Sequence, residues 1–235
     1  MTLHIGLLLF PRLTQLDLTG PYEVFSQMPD TQVHLLWKTL EPVQAVTGMR
    51  ILPDMTLADC PPLDVICVPG GPGIAEMMED ETVLAFLRTQ GQVARYVTSV
   101  CTGALVLGAA GLLHGKRATT HWSAHDLLGK LGAIPSPGRV VRDGNIFTGG
   151  GVTAGIDFAL TVAEEMVGRP AAEGVSLQIE YAPAPPFDTG TPETAPPEVL
   201  AAVRARGAST RKLREQLVAR VSGKLSATVT TQPPS

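Results

Sequence analysis

The chain has 235 residues, 44% of them hydrophobic, which suffices for the core of one α/β domain and is too little for two domains of ordinary size. Lys and Arg number 18 against 22 Asp and Glu, a formal net charge of -4, and no basic run is interleaved with aromatic residues, so the electrostatic footprint of a nucleic-acid-binding protein is missing. The three cysteines, Cys60, Cys67 and Cys101, are odd in number, unevenly placed and free of any CxxC pair, which suits reduced thiols in a cytoplasmic protein better than a disulfide framework or structural zinc.

The opening MTLHIGLLLFPR is read as a first buried strand: its apolar run is ended by Pro11, is too short to span a membrane and lacks the basic flank of a signal peptide. The loop PRLTQLDLTGPYEVF follows, carrying Asp17 and Glu23, with a helix expected after Gly20. VHLLW is a second strand, and VQAVTGMRILPD reads as a hairpin around Thr47 and Gly48. DVICVPGG and RYVTSV are two further apolar runs, with a helix across residues 80 to 94 between them. Helices are expected from Thr102 to Ala110 and from Ser123 to Leu131. RVVRDGNIFTGG is a second hairpin, with Asp143 and Gly144 as its two-residue turn, and another helix runs from about Thr153 to Met166. This alternation argues for a mostly parallel sheet with helices on both faces.

From Tyr181 the proline-rich stretch APAPPFDTGTPETAPPE predicts extended loop, and residues 197 to 222 regain helical periodicity with several Arg and Lys. The last residues, SATVTTQPPS, have too little apolar content to fold. The chain is thus divided into an α/β domain over residues 1–190, a helical extension over 191–222 packing on the domain or on a dimer partner, and a disordered tail over 223–235.

In RYVTSVCTGALVLGAAGLLHG the β-branched run ends at Val100 and helical spacing starts at Thr102, so Cys101 falls on the junction. A residue there stands at the carboxyl end of a strand, where open α/β sheets place their sites, and at the positive end of the next helix, a field that favours a thiolate. Gly103 permits the close backbone approach of a nucleophile elbow, although Ser99 replaces the first glycine of the GxSxG pattern. A small buried hydrophobe is the competing reading of Cys101. PGGPG lacks the GK[ST] and GxGxxG spacings of phosphate loops, and its backbone amides are read instead as oxyanion donors, Gly71 with the Thr102 amide. Asp17 and Glu23 emerge at the same sheet edge and are candidate acid–base groups, with helix capping or a solvated helix face as the alternative for each. His121 and His125 share the spacing of a metal pair but lack a following Glu and a third ligand, so no metal is expected.

LDLTGPYEVF, ICVPGGPG, VTSVCTGALVLGAAGLLHGKRATTHW and TGGGVTAGIDFAL together resemble the ThiJ/PfpI superfamily, the class I glutamine amidotransferase-like proteins, over roughly residues 3 to 185. Within it the chain is most similar to bacterial isocyanide hydratases, whose proline-rich tail motif it shares. The resemblance implies a flavodoxin-like three-layer sandwich, a homodimer and no cofactor. It also implies a catalytic cysteine at Cys101, an acid at Asp17 rather than Glu23, and Thr102 as part of the site. His121, Gly150 and Val152 are expected to line the pocket. Where protease relatives carry His after the nucleophile, this chain has Thr102, which cannot serve as a base near neutral pH, so peptidase activity is not expected. The activity implied is addition of water to an isocyanide, giving an N-substituted formamide through a thioimidate on Cys101. The alternatives are a glyoxalase or deglycase, and a stand-alone ligand- or redox-sensing module related to the sensor domains of AraC-type regulators.

Overall fold

The computed structural model describes residues 2–230, with side chains described for residues 2–225. The first half holds β1 (Leu3–Leu8), α1 (Gln15–Ser26), β2 (Thr31–Trp37), β3 (Val43–Gln44), β4 (Arg50–Ile51), β5 (Met55–Thr56), β6 (Val65–Val68), α2 (Ile74–Met77), α3 (Glu81–Val93), β7 (Tyr96–Val100) and α4 (Gly103–Ala109). The second half holds β8 (Arg117–Ala118), a 3-10 helix (Trp122–Leu131), β9 (Ile134–Pro135), β10 (Val140–Asp143), β11 (Ile146–Gly149), α5 (Ala154–Val167), α6 (Arg169–Gln178) and α7 (Pro197–Thr230).

The central sheet has seven strands in the order β10-β11-β7-β6-β1-β2-β5, parallel except for β10. VICV of β6 and YVTSV of β7 are buried at every position, as strands covered on both faces must be. Helices α1 and α5 pack on each other and on one face, while α3 and α4 cover the other, giving the three-layer, flavodoxin-like sandwich. Four loops leave the carboxyl ends of the neighbouring strands β1, β6, β7 and β11 and meet at one edge, which is where such a sheet exposes a crevice.

The structure corrects several local expectations. Helix α1 begins at Gln15, not after Gly20, and runs through Pro21. Its buried residues Leu18, Pro21, Val24 and Phe25 keep one apolar face across the proline, and packing on α5 overrides the missing amide. Gly155 allows that packing, because a Cβ there would sit 3.1 Å from Pro21 Cδ. In the second hairpin the two turn residues are Gly144, at φ 62°, and Asn145, because Asp143 still pairs with Ile146. Residues 122–131 wind as a 3-10 helix, α6 was not anticipated, and α7 continues past Ser222 to Thr230. The remainder of the expected tail, 231–235, lies outside the described residues.

Candidate active site

Cys101 has φ 55°, a left-handed conformation that costs a non-glycine residue about 1–2 kcal/mol, so the surrounding backbone must hold it. Its N–H donates to Gly150 O at 2.8 Å and to Gly149 O at 3.1 Å, and its carbonyl accepts from Thr120 Oγ1 at 2.6 Å. Gly103 is required here: a Cβ would lie 2.1 Å from Val68 O and 2.7 Å from Pro69 O. These contacts define a strand-to-helix elbow joining β7 to α4, with the sulfur facing the crevice loops.

Asp17 stands in the first turn of α1 and is fully buried. It caps nothing; instead Oδ2 accepts from the Gly70 N–H at 2.9 Å, so the carboxyl is tied to the β6 loop. Burial pushes its pKa up from 3.8 to about 6, while the Gly70 bond and the hydrogen-bonded Cys101 thiol pull it down. Oδ1 is buried with no hydrogen-bond partner among the described residues. Glu23, the other candidate acid, is exposed on the outer face of α1, where it accepts from Gln27 Nε2.

The thiol itself differs from the expectation that the helix end would ease its ionisation. Burial first, and then the Asp17 charge, push the Cys101 pKa above its ordinary range, against the smaller opposing effects of the Thr102 amide and Arg214. The seven-residue α4 is too short, and the sulfur too deeply buried, for the helix field to prevail. Cys101 and Asp17 therefore hold one proton between them near neutral pH. Cys67 is fully buried below the edge and Cys60 lies away from it, both with raised pKa values.

Thr102 is buried, and its Oγ1 accepts from the Gly71 N–H at 3.0 Å. The Gly71 amide is thus occupied by a side chain instead of facing the cavity as a free oxyanion donor. With its acceptor side engaged, the Thr102 hydroxyl is left to donate. His121 Nδ1 accepts from Ser123 N–H at 3.2 Å and caps the 3-10 helix; burial and Arg214 push its pKa down to about 4, so the ring is neutral. Its ring and Val152 line the cavity, whereas Gly150 acts through its carbonyl on Cys101. His125 Nε2 is engaged with Ser136 O, and among the described residues no cluster of three or more His, Cys, Asp and Glu side chains forms a metal site.

A cavity of about 920 Å³ opens over Cys101 and Thr102. One wall is helix α7, which contributes Arg204, Arg211, Lys212, Arg214 and Glu215. Arg211 docks the helix: it donates to Ser123 O at 2.6 Å and to both oxygens of Asp126, at 2.8 and 2.6 Å. Leu217, Val218 and Val221 bury the following turns. Sequence reasoning did not place these arginines at the site. Their only local signal is the spacing of Arg204, Gly207, Arg211 and Arg214 along one helix face, which does not say what that face meets.

The family model described as the DJ-1/PfpI family matches residues 4–165. The chain belongs to the DJ-1/PfpI family. Among DJ-1/PfpI relatives it is similar to the isonitrile hydratase of Pseudomonas putida, 63% identical over 226 residues that make up 96% of this chain and 99% of that one. A crystal structure of a ThiJ/PfpI family protein from Pseudomonas syringae matches with a TM-score of 0.90 at 41% identity, covering 95% of this chain and 91% of the other. The HTH-type transcriptional regulator GbdR of Pseudomonas aeruginosa is 31% identical over 188 residues, 75% of this chain and 50% of the regulator.

Proposed function

We propose that this chain is an isocyanide hydratase that adds water to an organic isocyanide and releases an N-substituted formamide. The observation that carries the reading is the buried pair of Cys101, on the elbow, and Asp17, in the first turn of α1, with Thr102 beside the thiol, in a chain 63% identical over 96% of its length to an isonitrile hydratase.

The site residues supply each step without a cofactor. Asp17, ionised at neutral pH, takes the Cys101 proton as the sulfur attacks the terminal isocyanide carbon, then returns that proton to the same carbon. The product is a thioimidate, R–N=CH–S–Cys101, whose atoms are those of the thiol plus the isocyanide. Asp17, ionised again, then takes a proton from water as the oxygen adds to the thioimidate carbon and passes that proton to the nitrogen. Collapse breaks the C–S bond, frees the formamide, and leaves one proton for Cys101 and Asp17 to share. The Thr102 hydroxyl, held by Gly71, donates to the substrate nitrogen or the incoming water. A buried carboxyl with a pKa near 6 suits this double duty, since neither its acid nor its base form is far from reach at pH 7.

In this reading the α/β unit over 1–190 carries the chemistry and the extension over 191–222 closes the cavity. The protein works in the cytoplasm as a homodimer; the apolar Val199 and Val203, exposed on α7, support a second copy, and sedimentation velocity tests it. Among the described residues no helix is long and apolar enough to cross a membrane.

The test is hydration of p-nitrophenyl isocyanide by the purified protein, followed as formation of the formamide. Turnover by the wild type and none by Cys101→Ala is expected. Turnover of methylglyoxal with no hydration of the isocyanide would replace this reading by the glyoxalase one.

A further inference from the structure

The hydration chemistry needs only the thiol, the carboxyl and the Thr102 hydroxyl, yet the cavity over them is about 920 Å³ and one of its walls is cationic. Arg204, Arg211, Lys212 and Arg214 face two carboxylates, Asp126 and Glu215, and Arg211 engages both. His121 is neutral and adds no charge. In a chain whose net charge is -4, this local excess of positive charge is not a consequence of composition.

Arg214 is the one partly buried cation of that wall that no carboxylate compensates among the described residues. Its Nε is buried without a hydrogen-bond partner, and no carboxylate pairs with it among the described residues. Burial works against its charge, and the anion-capable group that acts on it is the Cys101 sulfur. A partly buried guanidinium without a counter-ion is costly to the fold, and the cost is relieved when an anion binds. Its planar fork of donors matches the two oxygens of a carboxylate. Trp122, Val152 and Val203 line the same cavity and offer apolar surface for the carbon frame between the two ends.

We propose that Arg214 is an anion subsite of this cavity, and that the isocyanides this enzyme takes best carry a carboxylate on the substituent opposite the isocyano group. The proposal rests on the hydratase reading for its chemistry, but the subsite itself is a binding claim. Arg204 and Lys212, exposed at the cavity and without carboxylate partners among the described residues, add attraction for such a substrate.

The experiment compares 4-isocyanobenzoate with its methyl ester in the wild type, Arg214→Lys and Arg214→Met. The wild type is expected to favour the acid roughly tenfold or more in kcat/KM, mainly through KM, as a charge-assisted pair with a partly buried guanidinium provides. Arg214→Met lowers turnover of both substrates by whatever Arg214 gives the thiol, and in addition abolishes the acid-over-ester preference; Arg214→Lys retains part of it. Binding of the product-like 4-formamidobenzoate, measured by calorimetry, weakens in parallel. Equal use of acid and ester by the wild type, or an acid-to-ester ratio unmoved in Arg214→Met, overturns the subsite and leaves Arg214 as a group that acts on the sulfur alone. Calorimetry decides the subsite even for a protein that hydrates neither compound, and turnover of the neutral p-nitrophenyl isocyanide reports separately on the hydratase reading.

Discussion

The Asp17 carboxylate accepts a hydrogen bond from the Gly70 amide at 2.9 Å, which ties the first helix to the loop after β6 and holds the carboxyl in hydrogen-bond contact with the Cys101 thiol. That bond keeps Asp17 aimed inward although it sits in a helical first turn, where an acid would ordinarily face solvent. It also sets what each member of the pair does when the other is changed.

Replacing Asp17 by Asn preserves an acceptor for Gly70 and removes the proton carrier. Hydration should fall by roughly 10²–10⁴-fold, the usual worth of a positioned acid–base group. Because the Asp17 charge raises the thiol pKa, the same variant should alkylate at Cys101 with iodoacetamide at lower pH than the wild type. An unshifted alkylation profile would mean that the carboxylate does not act on the sulfur.

The raised pKa of Asp17, from 3.8 to about 6, means that the folded protein holds this proton more tightly than the unfolded chain does. The resulting stability is fully present below about pH 4 and is lost as pH rises through 6, an effect on the order of 2–3 kcal/mol. Asp17→Asn should therefore melt higher than the wild type at pH 7, and the gap should close at pH 4. Activity runs the other way, with kcat/KM falling below about pH 6 as the base is protonated. Melting scans and rate profiles over pH 4 to 8 check both halves.

Covalent catalysis leaves a mass signature. A thioimidate on Cys101 adds the whole isocyanide and loses nothing, so intact-protein mass spectrometry of rapidly quenched enzyme should show an increment equal to the substrate mass, absent in Cys101→Ala. An increment located on Cys60 or Cys67 would contradict the assignment.

Gly103→Ala would place a Cβ 2.1 Å from Val68 O. Backbone on both sides must move, at a cost of roughly 1–3 kcal/mol or more, and the elbow moves with it. Denaturant unfolding should show the loss, and hydration should fall by more than the fraction of protein unfolded.

Arg211→Met should undock α7 locally. The two hydrogen bonds to Asp126 and the one to Ser123 O are lost, at about 1 kcal/mol or less for a pair so open to solvent, and amide exchange in α7 should speed up. KM should rise with little change in kcat, because the cavity wall loosens while Cys101 and Asp17 stay in place.

Much of this was legible from the chain itself. Apolar runs such as VICV and YVTSV, too uniform for a half-exposed strand, dictate a covered parallel sheet, and the break from β-branched residues to helical spacing puts Cys101 on an elbow with Gly103 as its necessary partner. Those features are local: period, turn chemistry and the absence of a Cβ are properties of a few adjacent residues. The start of α1 was misplaced because Pro21 argues locally against a helix that packing on α5 sustains. The burial of Asp17 on the Gly70 amide, the upward push on the Cys101 thiol, the engagement of the Gly71 amide by Thr102 and the arrival of Arg214 beside the sulfur were decided only by the tertiary structure. Each depends on which groups are buried together and which charges are left unpaired, and desolvation and Coulomb interactions act between residues that the fold, not the order of the chain, brings into contact.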